Sequence, residues 1–300
     1  MPVTVPEIAV PGSISNVGPA FDTLSVALQL YVRLRIVDVC PSAPDSLEFH
    51  FPDGPLVGDN RIERAFRLAR ERCGIAAPGL RVEVRSTIPR CAGLGSSGAA
   101  TIAGFRLYEA VTAPRGDEDW LSLACELEGH PDNAAAALAG GMTLSCQRED
   151  GRVLLRRWRW PDDIHIVIAT PDVPLETAVA RRVLPATVTL ADAVFNLQRA
   201  LLLVRAIETG RRADLREAMR DRWHQPFRAP LVPGLVEALA LDHPSLLGVC
   251  LSGAGPSIVA FADDGARDVV ALLEDMYARL RVPCTVRRVA AHQPDGDTSR

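Results

Sequence analysis

Two periodicities organise this chain. Leu30, Val32, Leu34 and Ile36 alternate with Tyr31, Arg33 and Arg35, the period-two pattern of a half-buried strand. Leu80, Val82 and Val84 alternate in the same way with Arg81, Glu83 and Arg85. Residues 60–72 carry Ile62, Phe66 and Ala69 at helical spacing. Residues 99–111 are almost wholly apolar apart from Arg106 and Glu109, which predicts a buried helix. Residues 131–140 (PDNAAAALAG) predict a helix opened by proline and closed by Gly140 and Gly141. Residues 142–146 and 164–169 are expected as strands. The second half predicts a long helix at 190–208 closed by Gly210, and a strand–turn–strand at 247–261 around SGAGP. A helix at 266–280 and a strand at 283–290 complete it.

Strands and helices mix without strict alternation, so the expected class is α+β. A compositional break near residues 157–163, around WRWPDD, suggests two domains, 1–160 and 161–292, with 293–300 as a disordered polar tail.

Composition narrows the function classes. A chain of 300 residues can bury a substantial core, and a net charge of −4 argues against non-specific nucleic-acid binding. The sequence contains no lysine. Codon bias is the bland reason, but the chemical consequence stands: any phosphate clamp must use Arg, His or backbone N–H groups. The 7 cysteines are scattered without a CxxC pair, as expected of small buried residues in a reducing compartment. The N-terminus lacks a basic start before a long apolar run, and no stretch has the roughly 18 apolar residues of a membrane span. The expectation is a cytoplasmic protein with neither membrane nor nucleic acid as partner.

The chemistry concentrates at residues 89–100, PRCAGLGSSGAA. The second predicted strand runs into this segment and the buried helix leaves it. Gly93 and Gly95 permit positive φ, Ser96 and Ser97 supply hydroxyls, and the N–H groups from Gly95 to Ala99 are expected to converge at a helix N-terminus that favours an anion. It is no Walker A loop, since GxxxxGK[ST] is absent. A plain turn capping a buried helix is the alternative.

The segment fits the pattern P-x-x-x-G-L-G-S-S-x-A-A, and by it the chain resembles the GHMP kinase superfamily. Residues 11–28 (PGSISNVGPAFDTLSVAL), 128–141 (EGHPDNAAAALAGG) and 251–256 (LSGAGP) resemble further motifs of its homoserine kinase branch. Residues 191–207 and 221–234 agree as well. The resemblance implies an N-terminal domain like ribosomal protein S5 domain 2, a ferredoxin-like C-terminal domain and an active site between them. It implies an ATP-dependent kinase that phosphorylates L-homoserine, in threonine biosynthesis, and a homodimer.

Site roles follow from the matching positions. For the nucleotide they are Asn60 at adenine, and Pro89, Arg90, Cys91, Ala92, Gly93, Leu94, Gly95, Ser96, Ser97, Gly98 and Ala99 along the phosphates. Glu128 matches the acidic Mg²⁺ ligand, with Ser97 beside it and Glu126 two residues away. Asn16, Asp22, His130, Asn133, Thr177, Arg181 and Arg228 match the acceptor pocket. A carboxylate at Asp22 suits an ammonium, and the two arginines suit a carboxylate. The catalytic set is Asp22, Ser97, Glu128 and Arg181; Asp22 is a candidate general base, with binding of the ammonium its expected role, and attack by a primary alcohol can proceed without a dedicated base. Three positions depart from the family pattern: Ala20, Ser25 and Ala136. A methyl at position 20 is expected to narrow the pocket or demand negative φ. Two rivals stand beside the homoserine reading: another small hydroxylated acid or amino alcohol, and a non-catalytic sensor using the same cleft.

Overall fold

The computed structural model describes residues 7–54, 56 and 58–293. The N-terminal part contains β1 (Ile8–Ser15), β2 (Leu24–Cys40), β3 (Leu47–His50), α1 (Arg61–Cys73), β4 (Gly79–Ser86), α2 (Ser96–Val111), α3 (Asp117–Glu128), α4 (Asp132–Ala139), β5 (Met142–Gln147) and β6 (Val153–Trp158). Its sheet has the order β3-β4-β2-β5-β6, with β1 also paired to β2. The chain then enters β7 (His165–Pro171), α5 (Thr177–Arg182), α6 (Leu190–Thr209), α7 (Leu215–Ala218), α8 (Gln225–Arg228), α9 (Leu235–Leu239), β8 (Leu246–Leu251), β9 (Ile258–Ala262), α10 (Ala266–Leu280) and β10 (Cys284–Val289). The second sheet has the order β10-β7-β9-β8. Helix and sheet are mixed throughout, the α+β class.

Strand β2 extends well beyond its alternating segment. Its first five residues, Leu24 to Leu28, are all buried, so no polar face shows there. Strand β1 gave no period-two signal for a similar reason. Its last six residues are buried, and a bulge between Pro11 and Gly12 shifts the register. Helix α3 went unrecognised although three acids, Asp117, Glu118 and Asp119, open its first turn.

The second sheet is covered on both faces. Ile166, Ile168, Val259 and Phe261 join the core of the first sheet. Val167, Ala169, Ile258 and Ala260 pack with Val269 and Leu273 of α10. One continuous apolar core therefore crosses from the first sheet to the second. Helix α2 runs through it, and its apolar sequence matches that position: nine of its residues, from Gly98 to Tyr108, are buried.

The expected disorder from residue 293 needs correction at its first residue. Gln293 accepts from Trp160 N at 3.0 Å and donates to Trp160 O at 2.8 Å, which ties it to the segment between the sheets. Residues 294–300 lie outside the described residues.

Candidate active site

The loop between β4 and α2 is held by its carbonyls. Cys91 O accepts from Leu175 N, Ala92 O from Ser257 N, Leu94 O from Ser13 N and Gly93 O from Ser252 Oγ. Peptide units anchored this way by C=O direct their N–H groups away from the scaffold. Cys91, Gly93 and Gly95 take positive φ of 50°, 71° and 68°. The glycines are required for packing as well as backbone angle. A Cβ on Gly95 would lie 2.3 Å from Ser13 Oγ, and one on Gly93 would lie 2.4 Å from Ser252 O. Ala99 N is bonded to Gly95 O at 2.9 Å, so the expected set of amide donors shrinks by one. Ser96, Ser97 and Gly98 supply the N–H groups that open α2.

This turn forms one wall of a cleft of about 870 Å³. Arg90 through Gly98 line it; Pro89 does not, and Ala99 faces the core. Asn60, Glu128, Asn16, His130, Asn133, Thr177, Arg181 and Arg228 all line the same cleft. Asn60 caps α1, its Oδ1 accepting from Glu63 N.

Glu128 sits against the start of α2. Ser97 Oγ lies 2.9 and 2.7 Å from its two carboxylate oxygens, and Thr101 Oγ1 donates to Oε1 at 2.6 Å. Arg61 Nη1 approaches to 3.6 Å. Glu126 points elsewhere, paired with Arg72 at 2.6 Å. A carboxylate with two neighbouring hydroxyls is an all-oxygen donor set, which suits a hard divalent cation such as Mg²⁺. Thr101 was missed in the sequence, although it lies one helical turn from Ser97 on the same face.

Opposite charges meet where this cleft adjoins a second cavity of about 460 Å³; Asp22 lines only the second, and His130 lines both. Arg181 grips Asp22 through two bonds, 2.7 and 3.1 Å. Asp22, His130 and Asp132 bring ligand atoms within 4.8 Å of one another. His130 Nδ1 lies 2.5 Å from Asp132 Oδ1. Burial alone would lower the His130 pKa, but the Asp132 hydrogen bond and charge outweigh it and hold the pKa above its ordinary value. For Asp132 burial acts upward, yet the bond and charge from His130 prevail and its pKa is lowered. Asp132 Oδ2 and Ser15 Oγ are buried without a hydrogen-bond partner among the described residues, and both residues line the cleft.

Asn16 does not offer its amide freely. Its Oδ1 accepts from Asp22 N at 2.7 Å and its Nδ2 donates to Gly253 O at 3.1 Å. Asn16 and Asp22 both take positive φ. Asn133 is similarly engaged, accepting from Ser13 Oγ and donating to Asp132. Arg228 is buried, with Nε on Ala180 O and Nη1 on Gly253 O. Burial, with Arg181 nearby, lowers its pKa to about 10.

The three departures from the family pattern lie away from this wall. Ala20 is buried in a turn and does not take positive φ. Ser25 is buried in β2, and Ala136 is buried in α4. None lines the cleft. The expected narrowing at position 20 therefore does not occur, because its methyl packs into the core.

Comparison with known proteins places these features among kinases. The chain matches the family described as GHMP kinases N terminal domain over residues 60–141, and GHMP kinases C terminal over residues 203–278. It is 37% identical over 290 residues to homoserine kinase of Moorella thermoacetica, covering 95% of this chain and 97% of that protein. It is 38% identical over 265 residues to a homoserine kinase of Thermus thermophilus, covering 87% and 88%. Among solved structures it resembles homoserine kinase from Cytophaga hutchinsonii, with a TM-score of 0.82, 26% identity and coverage of 96% and 95%. The mevalonate kinase of Methanococcus jannaschii, at 14% identity and a TM-score of 0.68 over 98% of this chain and 100% of that one, shares the fold.

Proposed function

This chain belongs to the homoserine kinase family of GHMP kinases, and from that premise we propose that it transfers the γ-phosphoryl group of ATP to the side-chain hydroxyl of L-homoserine. The acceptor oxygen forms the new P–O bond, the bridging P–O bond of ATP breaks, and ADP, O-phospho-L-homoserine and a proton leave. The supporting observation is a cleft lined by an amide-rich helix start together with Arg181 and Arg228, with Asp22 bonded to Arg181 from an adjoining cavity that shares His130 with the cleft. An α-amino acid is a zwitterion, so it can exchange with that pair charge for charge. Its ammonium takes Asp22, and its carboxylate takes Arg181 and Arg228.

In this reading the N–H groups of Ser96, Ser97 and Gly98 hold phosphate oxygens, and Asn60 meets the adenine. Residues 1–160 form the nucleotide half, and residues 161–292 supply Thr177, Arg181 and Arg228. Ser97 and Glu128 would hold Mg²⁺, whose charge offsets that of the polyphosphate when bound. Asn16 holds the Asp22 backbone, and His130–Asp132 forms a fixed polar wall. Catalysis rests on positioning and charge neutralisation rather than on a protein base. The free state of all 7 cysteines fits a cytoplasmic enzyme.

We also infer a homodimer through α6. Leu190, Val194, Leu197 and Leu201 form an apolar stripe, 81%, 43%, 59% and 65% exposed. Positions 190–201 of that face carry no charge. The 4-3-4 spacing fits antiparallel self-pairing, Val194 against the partner subunit's Leu197 and Leu190 against the partner subunit's Leu201. The stripe exposes roughly 400 Å² per copy, about half of what one partner buries in a standard interface. Ala191, Gln198 and Arg205 extend the contact on either side.

The assay is ADP release by purified protein with Mg-ATP and a panel of alcohols. L-Homoserine is expected to be the preferred acceptor. Release with another hydroxy acid or amino alcohol but none with homoserine contradicts the acceptor assignment. Nucleotide binding without any turnover favours the sensor.

A further inference from the structure

His224 is fully buried, and none of the roles above uses it. Its Nε2 lies 2.9 Å from Gly18 O, and its Nδ1 lies 3.3 Å from Arg228 Nη1. A carbonyl only accepts hydrogen bonds and a guanidinium only donates them. These two neighbours therefore fix the ring: Nε2 carries the proton, Nδ1 offers its lone pair, and the imidazole is neutral. A second proton would aim an N–H at the guanidinium.

The two partners come from different parts of the fold. Gly18 belongs to the β1–β2 loop that carries Asn16 and Asp22; Arg228 ends α8. Arg228 also donates to Ala180 O, beside Arg181, and to Gly253 O, which accepts from Asn16 as well. The Phe21 ring lies 5.4 Å from the His224 ring, with the guanidinium carbons of Arg181 and Arg228 at 5.4 and 5.3 Å from its centroid. His224 thus joins the Asp22 loop to Arg228, and Phe21 lies between its ring and Arg181.

Charged and titratable groups surround it among the described residues. Asp221 lies 3.6 Å from Nε2 and accepts the His224 backbone N–H. Arg228, the more distant Asp22, Arg181 across the Phe21 ring and the buried Cys250 thiol near Gly18, raised to about 12, stand with it. Burial lowers the His224 pKa, Asp221 opposes this, and Arg228 adds to it; the result is below the ordinary value.

We propose that His224 is a positioning residue for the acceptor carboxylate, a neutral imidazole that sets the Arg228 guanidinium against the Asp22 loop. This rests on the amino-acid acceptor reading above.

Three substitutions separate its two bonds. His224→Phe keeps a ring and removes both. His224→Asn keeps an acceptor near Nδ1, and His224→Gln keeps a donor towards Gly18. His224→Phe is expected to raise KM for L-homoserine by ~10-fold or more, with kcat and KM for ATP within ~3-fold. His224→Asn recovers most of the loss and His224→Gln less. Unchanged KM in every variant that folds, or an equal rise in KM for ATP, overturns the proposal. Imidazole ¹⁵N shifts of the wild type, assigned by their loss in His224→Asn, provide an independent check. The Nε2–H tautomer is expected from about pH 6 to about pH 8, and the Nδ1–H tautomer overturns the proposal. A wild type inactive on homoserine defeats the acceptor reading instead, and the tautomer still decides the role of His224.

Discussion

Glu128 illustrates how one side chain becomes chemistry through its neighbours. Three groups from two helices, Ser97, Thr101 and Arg61, converge on its carboxylate. Ser97→Ala and Glu128→Gln are each expected to lower kcat by ~100-fold or more, because they act on charge neutralisation in phosphoryl transfer. Circular dichroism should remain that of wild type; near-normal turnover would contradict the assigned metal ligands. The His130–Asp132 pair makes a second residue-level prediction. Because the folded His130 pKa is raised, its bond to Asp132 contributes stability that is fully present below the ordinary imidazole range. That contribution is lost as pH rises through the raised value. The difference in melting temperature between wild type and His130→Asn should therefore shrink from acid towards alkaline pH, and a difference that grows would contradict this sign. Such pairings could not be read from sequence beyond the bare EGHPDN order. The partners of Asp22, Arg228 and His224 lie up to 206 residues away, and no local period records them.

Among the elements, the strand–loop–helix unit around residues 79–111 was the most legible. Alternation in β4, glycines in the turn and unbroken apolar sequence in α2 each report a different local constraint. The long helix α6 was legible for similar reasons, since Thr189 and Gly210 cap it at either end. Strand β1 and the first part of β2 were not, because burial on both faces erases alternation. The glycines of the loop carried a second meaning that the sequence could not disclose. Gly95 was read as freedom for a ligand; its nearest obstacle is Ser13 of β1, a packing constraint. Gly95→Ala combines a contact of 2.3 Å with a φ of +68°, so a loss of about 2 kcal/mol or more in stability is expected from denaturant unfolding. ATP affinity should fall with it. A variant as stable as wild type would show that the turn relaxes without cost.

On the scale of the whole molecule, two sheets share one core and leave a cleft along their junction. The wall of the cleft proposed for the nucleotide is built largely from one continuous segment, Arg90 to Gly98, so a local motif can carry it. The wall proposed for the acceptor is assembled from the β1–β2 loop and the start of α4 in the first half and from the short helices α5 and α8 in the second. The positions that break the family pattern, Ala20, Ser25 and Ala136, are buried and do not line the cleft. The exposed stripe of α6 carries its own test. Leu197→Glu with Leu201→Glu should convert a dimer into a monomer in sedimentation equilibrium, with the monomer still folded. A wild type that is monomeric at micromolar concentration would remove the basis for that interface. The central claim is the transfer itself, and ³¹P NMR of the product tests it most directly. Incubation with Mg-ATP and L-homoserine should yield ADP and a phosphomonoester resonance coupled to the methylene protons beside the former hydroxyl of homoserine. ADP with only inorganic phosphate, or no new phosphorus resonance at all, would contradict the account.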